Sequence, residues 1–351
     1  MFSKKVSVLY LIIAATLGSV LTFFVFFFIQ RSNAANSDAG NTSADINVAG
    51  GYNIQRDPRN YKYISPIISV EPINESEKYA AIKTEIQNYI DNGKQNGSLI
   101  SASVYLKDFT KGDWFAINPS ERYNPGSLVK VGVLMTYLRM AEGKPKFLDK
   151  EVTYHGEKGF VFPIEYYKSD TVVEGHKYKI SDLLQYMIKY SDNRATVYLE
   201  NYMDTTIFKK EFADLGITEP RFNDPTYALN VKEYSMMFKA LYNAGYLKRK
   251  ASENALGLLT ESTFKNGLLK ELPASAVVAH KFGEAGDLTL HELHESGIVY
   301  LNNNPYMITV MTKGTNWDKL SDAIGHISKM AYDKMTLSPE GQTTYHTTAA
   351  E

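Results

Sequence analysis

The chain contains no cysteine among its 351 residues. This excludes disulfides, thiolate metal sites and a cysteine nucleophile. It does not fix the compartment, because many exported proteins fold without disulfides. An excess of one charge sign is missing too. The 38 Lys and Arg stand against 39 Asp and Glu, a formal net charge of −1. No bulk field draws such a chain to nucleic acid or acidic lipid, and no nucleic-acid partner is expected. Long runs of like charge are absent. Lys248-Arg249-Lys250 is a short patch that reads as a solvated helix end. There is no internal repeat.

What is there is ordinary in composition, with 44% hydrophobic and 22% charged residues. That suits a globular fold with one large domain or two small ones. The first 31 residues are the exception. Residues 6–30 carry no charge and are mostly apolar, a run long enough to span a bilayer. Lys4 and Lys5 precede it and Arg31 follows, which favours a cytoplasmic N-terminus. The stretch 1–31 therefore reads as a cytoplasmic tip and single-pass signal-anchor in a bacterial cytoplasmic membrane. A cleavable secretory signal is the rival reading, since Ser32-Asn33-Ala34 has the small-x-small form. Either way the bulk of the chain lies outside the cytoplasm.

Residues 32–75 read as a flexible linker. Its first part, 32–50, is too small and polar to bury a core, and 51–75 reads as chain extended along the domain surface. The folded domain is expected over 76–334, followed by a polar tail at 335–351. Tyr79, Ile82, Ile86, Tyr89 and Ile90 have helical spacing, and residues 101–119 read as a hairpin. Helices are expected over 126–142, 180–201, 207–215, 230–244, 251–260 and 317–333. Strands are expected at 277–286, from 294, and at 306–314, with a turn at Asn303-Asn304-Pro305. The fold class is α+β, an antiparallel sheet flanked by helices. The early and late strands share that sheet in one lobe, 76–125 and 275–334, and 126–274 forms an inserted all-helical lobe.

The chemistry concentrates in three short motifs. Asn124-Pro125-Gly126-Ser127-Leu128-Val129-Lys130 opens the apolar helix, with Ser127 and Lys130 three residues apart on one face. A serine needs a base to act as nucleophile, and a lysine stripped of water loses pKa toward neutrality. Tyr190-Ser191-Asp192-Asn193 follows about 60 residues later on an expected helix. His280-Lys281-Phe282-Gly283 lies on an expected strand. Each motif alone is weak.

Together and in this order, S-x-x-K, S-D-N and K-x-G resemble the signature of class A-type serine β-lactamases and penicillin-binding peptidases. The resemblance covers roughly 76–334. It implies that Ser127 is acylated and that Lys130 is its base or proton relay. It implies that Ser191 passes a proton to the leaving nitrogen, and that Lys281 supplies positive charge. Asn193 and the Gly283–Glu284 segment would bind substrate, with the backbone N–H groups of Ser127 and Glu284 forming an oxyanion hole. The implied substrates are β-lactams, with D-Ala-D-Ala cell-wall peptides as the alternative, and a slowly turning over sensor domain as a third reading. No cofactor or metal is called for.

Three departures stand out. Phe282 replaces the hydroxyl-bearing residue of K-T-G, and Glu284 adds negative charge beside it. The next strand, near Ser296-Gly297-Ile298, carries no carboxylate-clamping arginine. The family's deacylation glutamate is either Glu219, in Glu219-Pro220-Arg221-Phe222-Asn223, or deleted. The sequence favours deletion, and with it slow release of an acyl group. His291 and His294, with Glu292 and Glu295, are not in the H-E-x-x-H form and read as polar residues before a strand. Tyr186, Tyr190, Tyr198 and Tyr202 recur at helical spacing and read as packing.

Overall fold

The computed structural model describes residues 51–57, 67–156, 166–220, 226–301 and 304–337, and the backbone of 46–49. The expected anchor, most of the 32–50 tether, Asn303 and the tail from 338 lie outside the described residues.

Five antiparallel strands form the central sheet: β4 (Ser101–Asp108), β5 (Trp114–Ile117), β8 (Val277–Gly286), β9 (His291–Tyr300) and β10 (Tyr306–Gly314), in the order β5-β4-β10-β9-β8. Early and late strands thus share one sheet, as the sequence implies. Alternation in β4 and β10 serves two cores. Val104, Leu106, Ile308 and Val310 face the layer made by α1 (Ala80–Gln95) and α8 (Trp317–Thr336). Tyr105, Met307 and Met311 face the other way, into the larger core shared with the helical lobe. Both faces are covered, so these strands are buried along nearly their whole length.

The helical lobe contains α2 (Lys130–Ala141), α3 (Ile180–Lys189), α4 (Asn193–Tyr202), α5 (Thr205–Asp214), α6 (Val231–Tyr242) and α7 (Arg249–Thr260). The lobe expected to be all-helical also holds a two-stranded ribbon of β6 (Glu151–Thr153) and β7 (Lys177–Lys179), a correction to that expectation, because strands this short carry too little alternation to show in the sequence. Helix α2 is buried on all sides along 130–138, as its unbroken apolar run predicts. Lys248, Arg249 and Lys250 are exposed at the start of α7, the solvated helix end read from sequence.

Two further expectations change in the helices and the linker. The single helix expected over 180–201 is two helices, α3 and α4, broken at Ser191, whose φ is +55°. An L-residue in that left-handed conformation cannot continue a right-handed helix. Asp192 then caps α4, accepting the N–H of Arg194 at 2.9 Å. The residues expected as a flexible linker also carry structure. β1 (Ile46–Ala49), β2 (Tyr52–Arg56) and β3 (Ile67–Pro72) form a three-stranded antiparallel sheet.

That small sheet is fastened to the domain. Ile68 is fully buried, and Asn243 and Trp114 donate hydrogen bonds to the carbonyls of Ile68 and Pro72. Glu71 lies between Lys239 (3.3 Å) and Lys107 (3.5 Å), and also accepts from the Tyr105 hydroxyl. Burial works to raise the Glu71 pKa, but the two lysines outweigh it and hold it below the usual carboxylate range.

Candidate active site

The site forms where the first helix of the helical lobe begins against the edge of the sheet. Residues Gly126–Val129 make a 3₁₀ turn that runs directly into α2. The Asn124 side chain accepts the Gly126 N–H at 3.1 Å, and Glu292 accepts the Asn124 N–H at 2.7 Å. The Tyr234 hydroxyl donates to the Leu128 carbonyl at 3.0 Å. In a 3₁₀ turn residues three apart eclipse one another, so Ser127 and Lys130 share a face more closely than in an α-helix. Ser127 is half-buried and Lys130 is buried.

Close approach of this turn to β8 requires glycine on both sides. Gly126 has φ of +50°, and a Cβ there would stand 2.2 Å from the Glu284 carbonyl oxygen. A Cβ on Gly283 would stand 2.3 Å from the Pro125 carbonyl oxygen. No larger residue fits either position without moving backbone. The contact sets the backbone of Glu284 beside that of Gly126 and Ser127.

Lys130 is tied into the S-D-N segment. Its Nζ donates to the Ser191 carbonyl (2.6 Å), the Asn193 Oδ1 (2.7 Å) and the Ser191 hydroxyl (3.2 Å). Burial lowers its pKa to about 8, against the pull of Asp192, Glu200 and Glu284. Lys281 reaches the same hydroxyl from β8, donating to the Ser191 Oγ at 2.9 Å and to the Phe282 carbonyl at 2.7 Å. Burial holds its pKa well below normal, and the neighbouring Lys130 charge adds to the effect.

The left-handed turn at Ser191 makes this convergence possible, because it swings the hydroxyl out of the helical path. Asp192 fixes the turn. Its carboxylate accepts from Val172 N–H (2.8 Å), the Thr171 hydroxyl (2.9 Å) and Arg194 N–H (2.9 Å). Ser127, Lys130, Ser191, Asn193, Lys281, Gly283 and Glu284 therefore all fall at this junction of lobes. Chemically, the junction offers the Ser127 hydroxyl three positions before a lysine of lowered pKa, and a second hydroxyl, on Ser191, held by two lysine donors.

The departures have structural counterparts. The buried Phe282 ring stacks on Phe264 at 4.0 Å and meets Tyr167 edge-on at 5.2 Å. Ser296 lies across from Lys281 in the sheet and shares a 2.6 Å hydrogen bond with Thr309. Glu219 pairs with Lys209 at 3.1 Å, with both side chains substantially exposed.

Sequence reasoning overlooks Glu200. It lies on α4 two turns after Asn193, hence on the same face. Burial raises its pKa to about 7, opposed by Lys130. That seven-residue spacing is the only signal the sequence carries for it. His291 and His294 lie within β9 rather than in a loop before a strand. His294 is fully buried and bonded to the Asn124 carbonyl at 3.0 Å and the Thr312 N–H at 3.2 Å. No group of metal-ligating side chains forms among the described residues. The tyrosines pack on one another: Tyr186 on Tyr190, and Tyr198 on Tyr202.

A five-stranded antiparallel sheet joined to a helical lobe, with S-x-x-K, S-D-N and K-x-G at the junction, defines a protein of the serine β-lactamase and penicillin-binding superfamily. The chain belongs to the β-lactamase enzyme family, whose sequence model matches residues 81–335. Solved structures share the fold. A mutant of PBP-A, solved as its acyl-enzyme complex with penicillin G, is 18% identical with a TM-score of 0.61, over 74% of this chain and 98% of that one. The TLA-1 extended-spectrum β-lactamase is 18% identical with a TM-score of 0.63, over 74% and 99%. A β-lactamase from Chitinophaga pinensis is 20% identical with a TM-score of 0.62, over 71% and 98%. No curated protein matches the chain.

Proposed function

We propose that this protein is a serine acyl-enzyme hydrolase that opens β-lactam amides at Ser127 and releases the product slowly. The observation that carries this reading is the meeting of Lys130 and Lys281 at the Ser191 hydroxyl, one 3₁₀ turn from Ser127. Neutral Lys130 takes the Ser127 proton as the Oγ attacks the carbonyl carbon and the C–O bond forms. The carbonyl oxygen takes up negative charge and is held by the Ser127 and Glu284 N–H groups. The C–N bond then breaks, and the proton passes through Ser191 to the leaving nitrogen. Asn193 hydrogen-bonds the acyl amide. Release needs a water to attack the ester carbon and return a proton to Ser127.

The alternative is a D-Ala-D-Ala peptidase or transpeptidase, or a sensor that keeps the acyl group. The Glu219–Lys209 surface pair favours slow release, since it occupies the one loop glutamate that the motif could supply as a base. We further propose a single-pass anchor at 1–31, with the domain on the outer side of the cytoplasmic membrane, or a secreted form if the signal is cleaved.

The test is mass spectrometry of the intact protein after incubation with penicillins, beside Ser127→Ala. A lasting adduct on the wild type alone is expected. A brief adduct with rapid drug consumption would make it an efficient β-lactamase. No adduct and no turnover would overturn the acyl-enzyme reading.

A further inference from the structure

The side chain of Glu284 is the least explained group at the junction. Both of its carboxylate oxygens are buried, and neither has a well-aligned hydrogen-bond partner among the described residues. The Tyr166 and Tyr167 N–H groups lie close enough to favour its charged form, as do Lys281 and Lys130. Burial nevertheless pushes its pKa up to about 7. Lys130 spends its three donors on Ser191 and Asn193, and Lys281 gives two of its three to Ser191 and the Phe282 carbonyl. A buried carboxylate so thinly served is costly unless further donors or positive charge reach it.

Its surroundings are aromatic. Glu284 shares a sheet face with Phe282 and with His291, by alternation and by register. His291 stacks on Trp317 at 4.3 Å, Trp317 on Tyr166 at 5.7 Å, and Tyr167 meets the Phe282 ring. Tyr166, Tyr167, His291 and Trp317 are all half-buried. Ring faces attract cations, and a carboxylate set among them makes that attraction selective. An anion meets the Lys281 charge here but not the hydroxyl of K-T-G. The residue after Lys281 offers a phenyl ring, and the cross-strand position offers a serine already bonded to Thr309.

We propose that Glu284 and these aromatic rings form a subsite for an ammonium group of the acyl substrate, on the leaving-group side, and that they select against a free carboxylate there. The subsite rests on the Ser127 acyl-enzyme reading for its place in the reaction, but its charge preference is a property of binding alone. The substrate class is then an amide or peptide bearing an amine near the scissile bond.

The test uses a penicillin and the same penicillin with its carboxylate converted to an aminoethyl amide. Binding of both is measured by calorimetry on the full chain carrying Ser127→Ala, and adduct formation by mass spectrometry on the full chain with Ser127 intact. Each is repeated with Glu284→Gln. The expected result is that the cationic ligand binds about tenfold more tightly, and that Glu284→Gln removes or reverses this preference. Equal binding of the two ligands to the Ser127→Ala protein overturns the subsite, and needs no Glu284 variant. So does a preference that Glu284→Gln leaves intact. Cation-selective binding without any Ser127 adduct sinks the acyl-enzyme reading and keeps the subsite.

Discussion

Lys130 and Lys281, from a helix and a strand 151 positions apart in the chain, donate to the same hydroxyl, that of Ser191, at 3.2 and 2.9 Å. Two ammonium groups so close resist being charged together, and burial adds to the cost. Both are therefore held below the ordinary lysine value, the direction a proton relay requires.

The Ser191 backbone provides the first prediction. Its φ of +55° costs a residue with a Cβ about 1 kcal/mol and glycine almost nothing. Ser191→Gly and Ser191→Ala both remove the hydroxyl, so both should lose acylation by about 100-fold or more. Thermal melts should nonetheless find the glycine variant more stable than the alanine variant, by about 1 kcal/mol. Equal melting would mean that the turn carries no strain.

Acylation should depend on pH through Lys130. Its pKa near 8 means that the neutral, proton-accepting form grows as pH rises through that value. The rate of adduct formation with penicillin should climb between pH 6 and 8 and then level, about tenfold per unit on the rising limb. A rate that is flat over this range, followed by stopped-flow mass spectrometry, would remove Lys130 from the role of base.

Glu219 should be dispensable. Its exposed partner Lys209 keeps it at the surface. Glu219→Gln should change steady-state penicillin turnover by less than about twofold, and stability by less than about 0.5 kcal/mol. A turnover loss of 100-fold would restore it as the deacylation base.

Glu71→Ala should be severe, because it leaves Lys239 and Lys107 buried together without the carboxylate they share. The expected loss is about 3–5 kcal/mol, read from urea unfolding. Glu71 also sets an acid limit. Its folded pKa lies below the ordinary 4.5, so its contribution is present above 4.5 and is lost as pH falls through the folded value. The alanine variant should therefore lose less stability than the wild type between pH 5 and 3.

The motifs were legible because their chemistry needs fixed spacings: two residues between Ser127 and Lys130, and one between Ser191 and Asn193. The sheet was legible from alternation in β4 and β10. The break at Ser191 is not, because Leu184, Ile188, Ala195 and Leu199 keep a helix-like rhythm across it. Only the Asp192 cap hints at a new start. The β1–β3 sheet is hidden for another reason. Its strands are short and polar on one face, and what fastens them is the long-range pairing of Glu71 with Lys239, 168 positions away. Periodicity within a segment says nothing about a partner that distant. The burial of the Glu284 carboxyl is likewise a fact of tertiary surroundings rather than of the motif.

The packing of Phe282 bears on how such a site could change over generations. Its ring fills the space between Phe264 and Tyr167, so exchange for the threonine usual in the family would leave a void costing about 3–5 kcal/mol. The same exchange would bring a hydroxyl next to Glu284, whose charge the proposed subsite would still set against a substrate carboxylate. A lineage moving toward carboxylate-bearing drugs would thus need Phe282, Glu284 and a neighbouring ring to alter together. The Phe282 step would lose stability before it gained activity, whereas replacing the buried Glu284 need not, so the order of the steps would matter.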